Sequence, residues 1–438
     1  MANKKAALLN RLKEHFESDP ATLPVIRQDV AIYERPNMHL AIEELLGDGG
    51  AELVGVVDLD YEVTLARISR QSSAKEFDEG PVEYFDVPVA GGRKLACVKK
   101  GIYLFADEGS KCALLVGEER YGHPPKLKVE VMASQREVSE GFLRKLIAKT
   151  RQGKAYRGHV LSIERDCYGG VSINFHSLPK IERERVILPE KVLQTVERHT
   201  IDFSQNVKRL RAAGRHLKRG ILLHGKPGTG KTLSAMYLVS KMPKRTVLLM
   251  TGAAIGSIET ACSLARMLQP ATVILEDVDL IGTQRSFQTV DANALLFELL
   301  NQMDGLAEDV DVLFVLTTNR PDILEPALAA RPGRIDQAIE IPLPDDECRQ
   351  RLIDLYGQGL QLELGETTAL VEKTAGASAA FIRELLRRAA VFAAVTDQSN
   401  EIVVRDEHVE EALTELLVTG GELTKSLLGA SDASAQDE

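Results

Sequence analysis

Apolar positions change period along the chain and divide it into regions. Leu8, Leu9, Leu12 and Phe16 recur at helical spacing between residues 5 and 17, and a second helix is predicted from Met38 to Leu46, after Pro36. From Ala51 to about Ala133 the pattern becomes short apolar runs separated by Gly, Pro and Asp turns. ELVGVVDLD, YEVTLARI, EYFDVPVAG, KGIYLFAD, KCALLVGE and KLKVEVMA are all predicted strands. A helix over 137–151 and strands at HVLSIERD and VSINFH complete residues 1–182. This is an α+β N-terminal region without a motif of recognisable chemistry, and its expected role is to choose a partner or substrate.

Residues 183–343 read as an α/β layer structure. Apolar strand candidates at 221–223, 245–250, 272–275 and 312–316 alternate with helical stretches such as 257–268 and 295–304. Before them, 183–218 predict a strand-to-helix start, two short helices and a basic approach. Residues 344–420 are predicted to be helical, a small lid, and the acidic tail 421–438 is expected to be disordered.

Composition narrows the class. The 438 residues are 44% hydrophobic and 27% charged, with a formal net charge of −10, which argues against a constitutive nucleic-acid coat. No apolar run approaches the ~18 residues of a membrane span, so no membrane partner is expected. The N-terminus has no signal-peptide pattern, and the five cysteines form no CxxC pair. Reduced thiols, no zinc site and a cytoplasmic location are therefore expected. Two basic stretches, Arg144 to Arg157 and Lys208 to Arg219, are better read as solvated faces than as a nucleic-acid footprint.

The sharpest signal is GKPGTGKT. Gly225, Lys226, Pro227, Gly228, Thr229, Gly230, Lys231 and Thr232 follow the apolar run Ile221–Leu223 and precede a helical pattern opening with Leu233. Strand, glycine-rich loop and helix in this order form a phosphate-binding loop: backbone N–H groups and the helix N-terminus surround phosphate oxygens. Lys231 then offers a charge to the β/γ-phosphates, and the Thr232 hydroxyl a ligand for Mg²⁺. ATP and Mg²⁺ are the expected cofactors. The strand Thr272–Leu275 ends in Glu276-Asp277, where an α/β sheet places its ligands. The next strand ends in Thr317-Thr318-Asn319, whose neutral amide can bond a γ-phosphate or an attacking water. Arg331 and Arg334, around a Pro-Gly turn, suit an arginine finger, although by themselves they read better as solvated charges on a surface turn.

With these pieces in place, 183–418 resembles the AAA ATPase module of the clade that includes proteasomal ATPases and membrane-bound AAA proteases, without the protease. The matching pieces are GKPGTGKT (225–232), VILEDVD (273–279), LLNQMDGL (299–306), TTNRPDILEPAL (317–328), RPGRID (331–336) and TAGASAAFIRELLRRAA (374–390). The resemblance implies an α/β P-loop NTPase core with a C-terminal helical lid. It also implies an ATPase that works as a ring, expected to be a homo-hexamer, and remodels a macromolecular client, expected to be protein. Glu276 would sit on the metal side and Asp277 on the water side. Asn319 would be the sensor, and Asp304-Gly305 a loop reporting nucleotide state. Arg331 and Arg334 would reach the neighbour's γ-phosphate.

The sequence departs from the family pattern at several points. The acids run Glu-Asp rather than Asp-Glu, and Lys226 replaces a usual proline. Two residues, Ala329-Ala330, precede Arg331 where one is usual. Met250 to Cys262, matching the polypeptide-gripping pore loop, contains no Phe, Tyr or Trp. The C-terminal residues lack the hydrophobic-Tyr-X tail used for proteasome docking, so that role is not expected. The alternatives are an ATP-gated scaffold with little hydrolysis and a nucleic-acid-associated AAA motor.

Overall fold

The computed structural model describes residues 7–47, 50–58, 63–71, 77–119, 126–165, 171–250, 257–279, 292–304, 309–322, 335–365, 367–396 and 401–419. The chain divides into two compact units at 176/177.

In the first unit, seven strands form one antiparallel sheet: β1 (Val25–Ala31), β2 (Ala51–Asp58), β3 (Phe77–Gly80), β4 (Glu83–Pro88), β5 (Lys94–Asp107), β6 (Ser110–Glu118) and β7 (Lys126–Ala133). Their order is β1-β7-β6-β5-β2-β3, with β4 paired to β5. Because side chains alternate across a strand, the central strands feed two cores. Leu114, Val129 and Val131 pack with Met38 and Phe142, from helices Arg35–Leu46 and Arg136–Thr150. Leu115 and Met132 pack with Leu8, Leu12 and Ile68, from helices Ala7–Phe16 and Leu65–Arg70. A hairpin, β8 (Val160–Arg165) with β9 (Val171–His176), closes the unit.

The predicted strand YEVTLARI (61–68) is corrected: its residues 65–68 begin the helix Leu65–Arg70. Thr64 caps it by accepting from the Arg67 N–H at 3.1 Å, and the buried Glu130 carboxylate accepts the Leu65 N–H at 2.7 Å. Those two acceptors satisfy amides that a helix start leaves orphaned. β1 was not anticipated, because its middle residues Arg27, Gln28 and Asp29 are exposed on a strand that, among the described residues, pairs only with β7.

The second unit holds a parallel sheet in the order β14-β10-β13-β12-β11. Its strands are β10 (Arg219–His224), β11 (Thr246–Met250), β12 (Ala271–Leu275), β13 (Val312–Thr318) and β14 (Gln337–Glu340). Every residue of β12 and β13 is buried, the continuous burial expected of parallel strands covered on both faces. Arg245 ties the lower edge together: it donates to Asp311 Oδ1 at 2.7 Å and to Thr272 Oγ1 at 3.0 Å. The C-terminal part packs helices Asp346–Tyr356, Thr367–Lys373, Ala379–Thr396 and Asp406–Thr414 around Leu352, Phe381, Leu385 and Leu413. It also contains a short parallel pair, β15 (Gln361–Glu363) with β16 (Val403–Arg405), where only helix was expected. The unit is an α/β P-loop NTPase core with a helical C-terminal part.

Candidate nucleotide site

β10 lies between β14 and β13, so the chain order reverses beside it, and ligands of open α/β sheets collect at that switch point. The phosphate loop leaves β10 after His224 and delivers Lys231 as the first residue of helix Lys231–Lys241. Gly225, Gly228 and Gly230 all have positive φ, at 148°, 75° and 102°. At Gly225 a Cβ would stand 2.3 Å from the Ile341 carbonyl oxygen; at Gly228 it would stand 2.6 Å from Ser378 Oγ. Glycine is required here by backbone angle and by close approach together.

Lys231 is 6% exposed, and its Nζ donates to the Gly225 and Lys226 carbonyls, at 2.9 Å each. Burial lowers its pKa, opposed by the charges of Asp277 and Asp279. Burial raises the Glu276 pKa, the nearby Thr232 side chain lowers it, and neighbouring Asp277 raises it further. Glu276 Oε1 is buried without a hydrogen-bond partner. A hydroxyl beside a buried carboxylate oxygen that lacks a donor is the kind of oxygen pair a divalent cation takes, so Thr232 and Glu276 fit Mg²⁺.

Asp277 adopts φ +47°, in the left-handed region, at a cost of about 1–2 kcal/mol for a residue with a Cβ. The Thr317 hydroxyl accepts its N–H at 3.0 Å, and the Thr317 carbonyl accepts the Val278 N–H at 3.0 Å. Asn319 Nδ2 donates to Asp277 Oδ1 at 3.2 Å. Glu276 thus turns toward Thr232 and Asp277 toward Asn319.

A cavity of about 640 Å³ joins Lys231, Thr232, Asp277 and Asn319. Pro227 to Ser234, Asp277 and Asn319 line its phosphate end, while Val186, Ile187, Leu188, Leu352 and Tyr356 supply an apolar wall. The loop also touches the C-terminal part directly: the Ala380 N–H donates to the Gly228 carbonyl at 3.1 Å. The structure therefore brings Lys231, Thr232, Glu276, Asp277 and Asn319 together. Lys226 is exposed beside them, outside the cavity lining, and Leu233 lines the cavity at 37% exposure. Arg331, Arg334, Gly305, residues 251–256 of the pore-loop segment and the tail 421–438 lie outside the described residues. Sequence reading missed the roles of Thr317 and Asp279 and the share of Tyr356 and Ala380. The Thr-Thr-Asn run at the end of β13 is the visible trace of Thr317, and the third acid of VILEDVD that of Asp279.

The glycine-rich loop, its buried lysine and the acid-tipped strand β12, one strand removed from β10, define a P-loop nucleotide-binding core. Comparison with known proteins narrows the class. Residues 221–343 match the ATPase family associated with various cellular activities (AAA), and the chain carries a AAA domain. It is 35% identical over 189 residues to a 26S proteasome regulatory subunit S10B homolog of Arabidopsis thaliana, covering 40% of this chain and 47% of that protein. It is 35% identical over 188 residues to a proteasome-activating nucleotidase of Pyrococcus horikoshii, again covering 40% and 47%. With an ATP-dependent zinc metalloprotease FtsH of Rhodococcus erythropolis it shares 31% over 238 residues, covering 51% of this chain and 27% of that one. The matched segment thus spans less than half of each of these relatives.

Proposed function

We propose that this chain is a Mg²⁺-dependent ATPase that couples hydrolysis, in a ring of like subunits, to remodelling a protein client chosen by residues 1–182. The observation that carries the reading is the convergence of Lys231, Thr232, Glu276, Asp277 and Asn319 at one edge of the parallel sheet. Loop amides and Lys231 hold the phosphates; the apolar wall from Val186 to Leu188 receives the base. Thr232 and Glu276 would hold Mg²⁺, which when bound would withdraw charge from the phosphate oxygens. Asp277 takes the proton of the attacking water as oxygen bonds to the γ-phosphorus and ADP departs, and Asn319 fixes the Asp277 carboxylate. Arg331 and Arg334 complete the site from a neighbouring subunit, a contribution of about 10³–10⁵ in turnover where such a finger acts. The similarity to proteasomal ATPases supports a protein client and a cytoplasmic location.

The test is phosphate release by the purified chain, with Asp277→Asn alongside. Asp277→Asn is expected to bind ATP with wild-type affinity and to lose turnover. Wild-type turnover in that variant would move the base elsewhere, and no turnover in the wild type at saturating Mg-ATP would favour the ATP-gated scaffold.

A further inference from the structure

Three residues beyond Glu276 lies a carboxylate with no assigned task. Asp279 is 8% exposed, and its charge helps keep Lys231 protonated. A buried carboxylate is costly unless its hydrogen bonds are made, and here two bonds come from the end of β13. Thr318 Oγ1 donates to Asp279 Oδ1 at 2.8 Å, and the Asn319 backbone N–H donates to the same oxygen at 3.1 Å. The Thr318 hydroxyl in turn accepts the Arg320 N–H at 3.0 Å. Asp279 therefore holds three consecutive residues, 318–320, in one conformation. The middle one places its side-chain amide on Asp277.

On the other side, Thr317 catches the N–H groups of Asp277 and Val278 and holds Asp277 in its left-handed conformation. The two strand ends thus hold each other reciprocally: β13 grips the backbone after β12 through Thr317, and the chain after β12 grips the backbone after β13 through Asp279. Neither half of the clasp is directed at phosphate; both fix the relative position of Asp277 and Asn319.

We propose that Asp279 is a positioning residue for hydrolysis, acting through Asn319 on Asp277 by hydrogen-bond acceptance. The assignment rests on the ATPase reading above. Small displacements of an aligned group cost turnover steeply, about 10²-fold for 1 Å, whereas nucleotide affinity depends on the loop and Lys231, which Asp279 does not touch by hydrogen bond.

The experiment compares Asp279→Ala, Asp279→Asn, Asn319→Ala and the double variant Asp279→Ala/Asn319→Ala. Steady-state hydrolysis and the dissociation constant of a fluorescent ADP analogue are measured for each. Asp279→Ala is expected to lower kcat by about 10²-fold while the dissociation constant stays within about threefold of wild type. Asn keeps an acceptor oxygen for both donors, so Asp279→Asn recovers most of the lost turnover. The double variant is expected to be no slower than the slower single variant, because residues acting through one contact are not additive. Additive losses, an Asp279→Asn as slow as Asp279→Ala, or a parallel loss of ADP-analogue binding would each overturn the proposal. Absence of hydrolysis in the wild type is a different outcome, which overturns the ATPase reading itself.

Discussion

At the scale of single residues, both units bury ionisable groups, with different consequences. Lys231 is held uncharged-prone by burial and charged by Asp277 and Asp279, a balance that suits a side chain awaiting phosphate oxygens. For Glu34 in the first unit the balance falls on the side of burial. Burial raises its pKa to about 7, opposed by the Asn37 side-chain hydrogen bond and the charge of Arg151. The sign follows from linkage. Below the ordinary value of 4.5 the folded and unfolded chains both keep the proton, and the stability from burying a neutral carboxyl is fully present. As pH rises through about 7 the folded chain must also ionise, and that stability is lost. Glu34→Gln keeps an acceptor for Asn37 without the titration. Denaturant midpoints are expected to coincide with wild type near pH 4 and to favour the variant at pH 8, by up to about 3 kcal/mol. A constant difference across that range would show that Glu34 is not the titrating group.

Among elements, the decisive contact runs between the phosphate loop and the helix Ala379–Thr396. The Ala380 N–H is one of the free amides of that helix start, and it spends itself on the Gly228 carbonyl rather than on solvent. Gly228 permits the approach: a Cβ there would meet Ser378 Oγ at 2.6 Å and Ala380 Cβ at 2.8 Å, at φ +75°. Gly228→Ala is therefore expected to push the loop and helix apart and to weaken ATP binding at least about tenfold, a loss on the scale of the 1–2 kcal/mol that a left-handed alanine costs. Isothermal titration with ATP checks this; unchanged affinity would mean that the contact is incidental to nucleotide binding. The predicted strand at 61–68 belongs to the same scale. Its apolar residues suit a strand or a short helix, and the capping by Thr64 and Glu130 that decides for helix comes partly from a strand 65 residues away.

For the molecule as a whole, internal contacts reach into both basic stretches. In the basic stretch from Arg144 to Arg157, Lys145 pairs with Asp107 and Glu108, and Lys149 and Lys154 both pair with Glu44. In the second stretch, Lys218 donates to the Met303 carbonyl at 3.1 Å, and the Arg219 guanidinium lies 4.5 Å from the Phe203 ring centroid. These cations already have internal partners. Assembly is the other molecular-scale question. If Arg331 acts in trans, mixing Arg331→Ala with Lys231→Ala subunits is expected to restore part of the phosphate-release rate that either variant lacks alone. No recovery in mixed assemblies would count against a shared site.

The phosphate loop, the Glu276-Asp277 strand end and Asn319 were legible in the sequence because each is a local signal: a glycine spacing, or a polar residue closing an apolar run. The alternation of buried strands and helices made the α/β core legible for the same reason, since side-chain period follows backbone geometry within one element. Tertiary structure alone decided that Glu276 faces Thr232 while Asp277 faces Asn319, that Asp279 and Thr317 clasp two strand ends, and that Ala380 closes on Gly228. Those contacts join residues about 40 to 150 positions apart. Their partners are chosen by strand order and by burial, which no local pattern encodes.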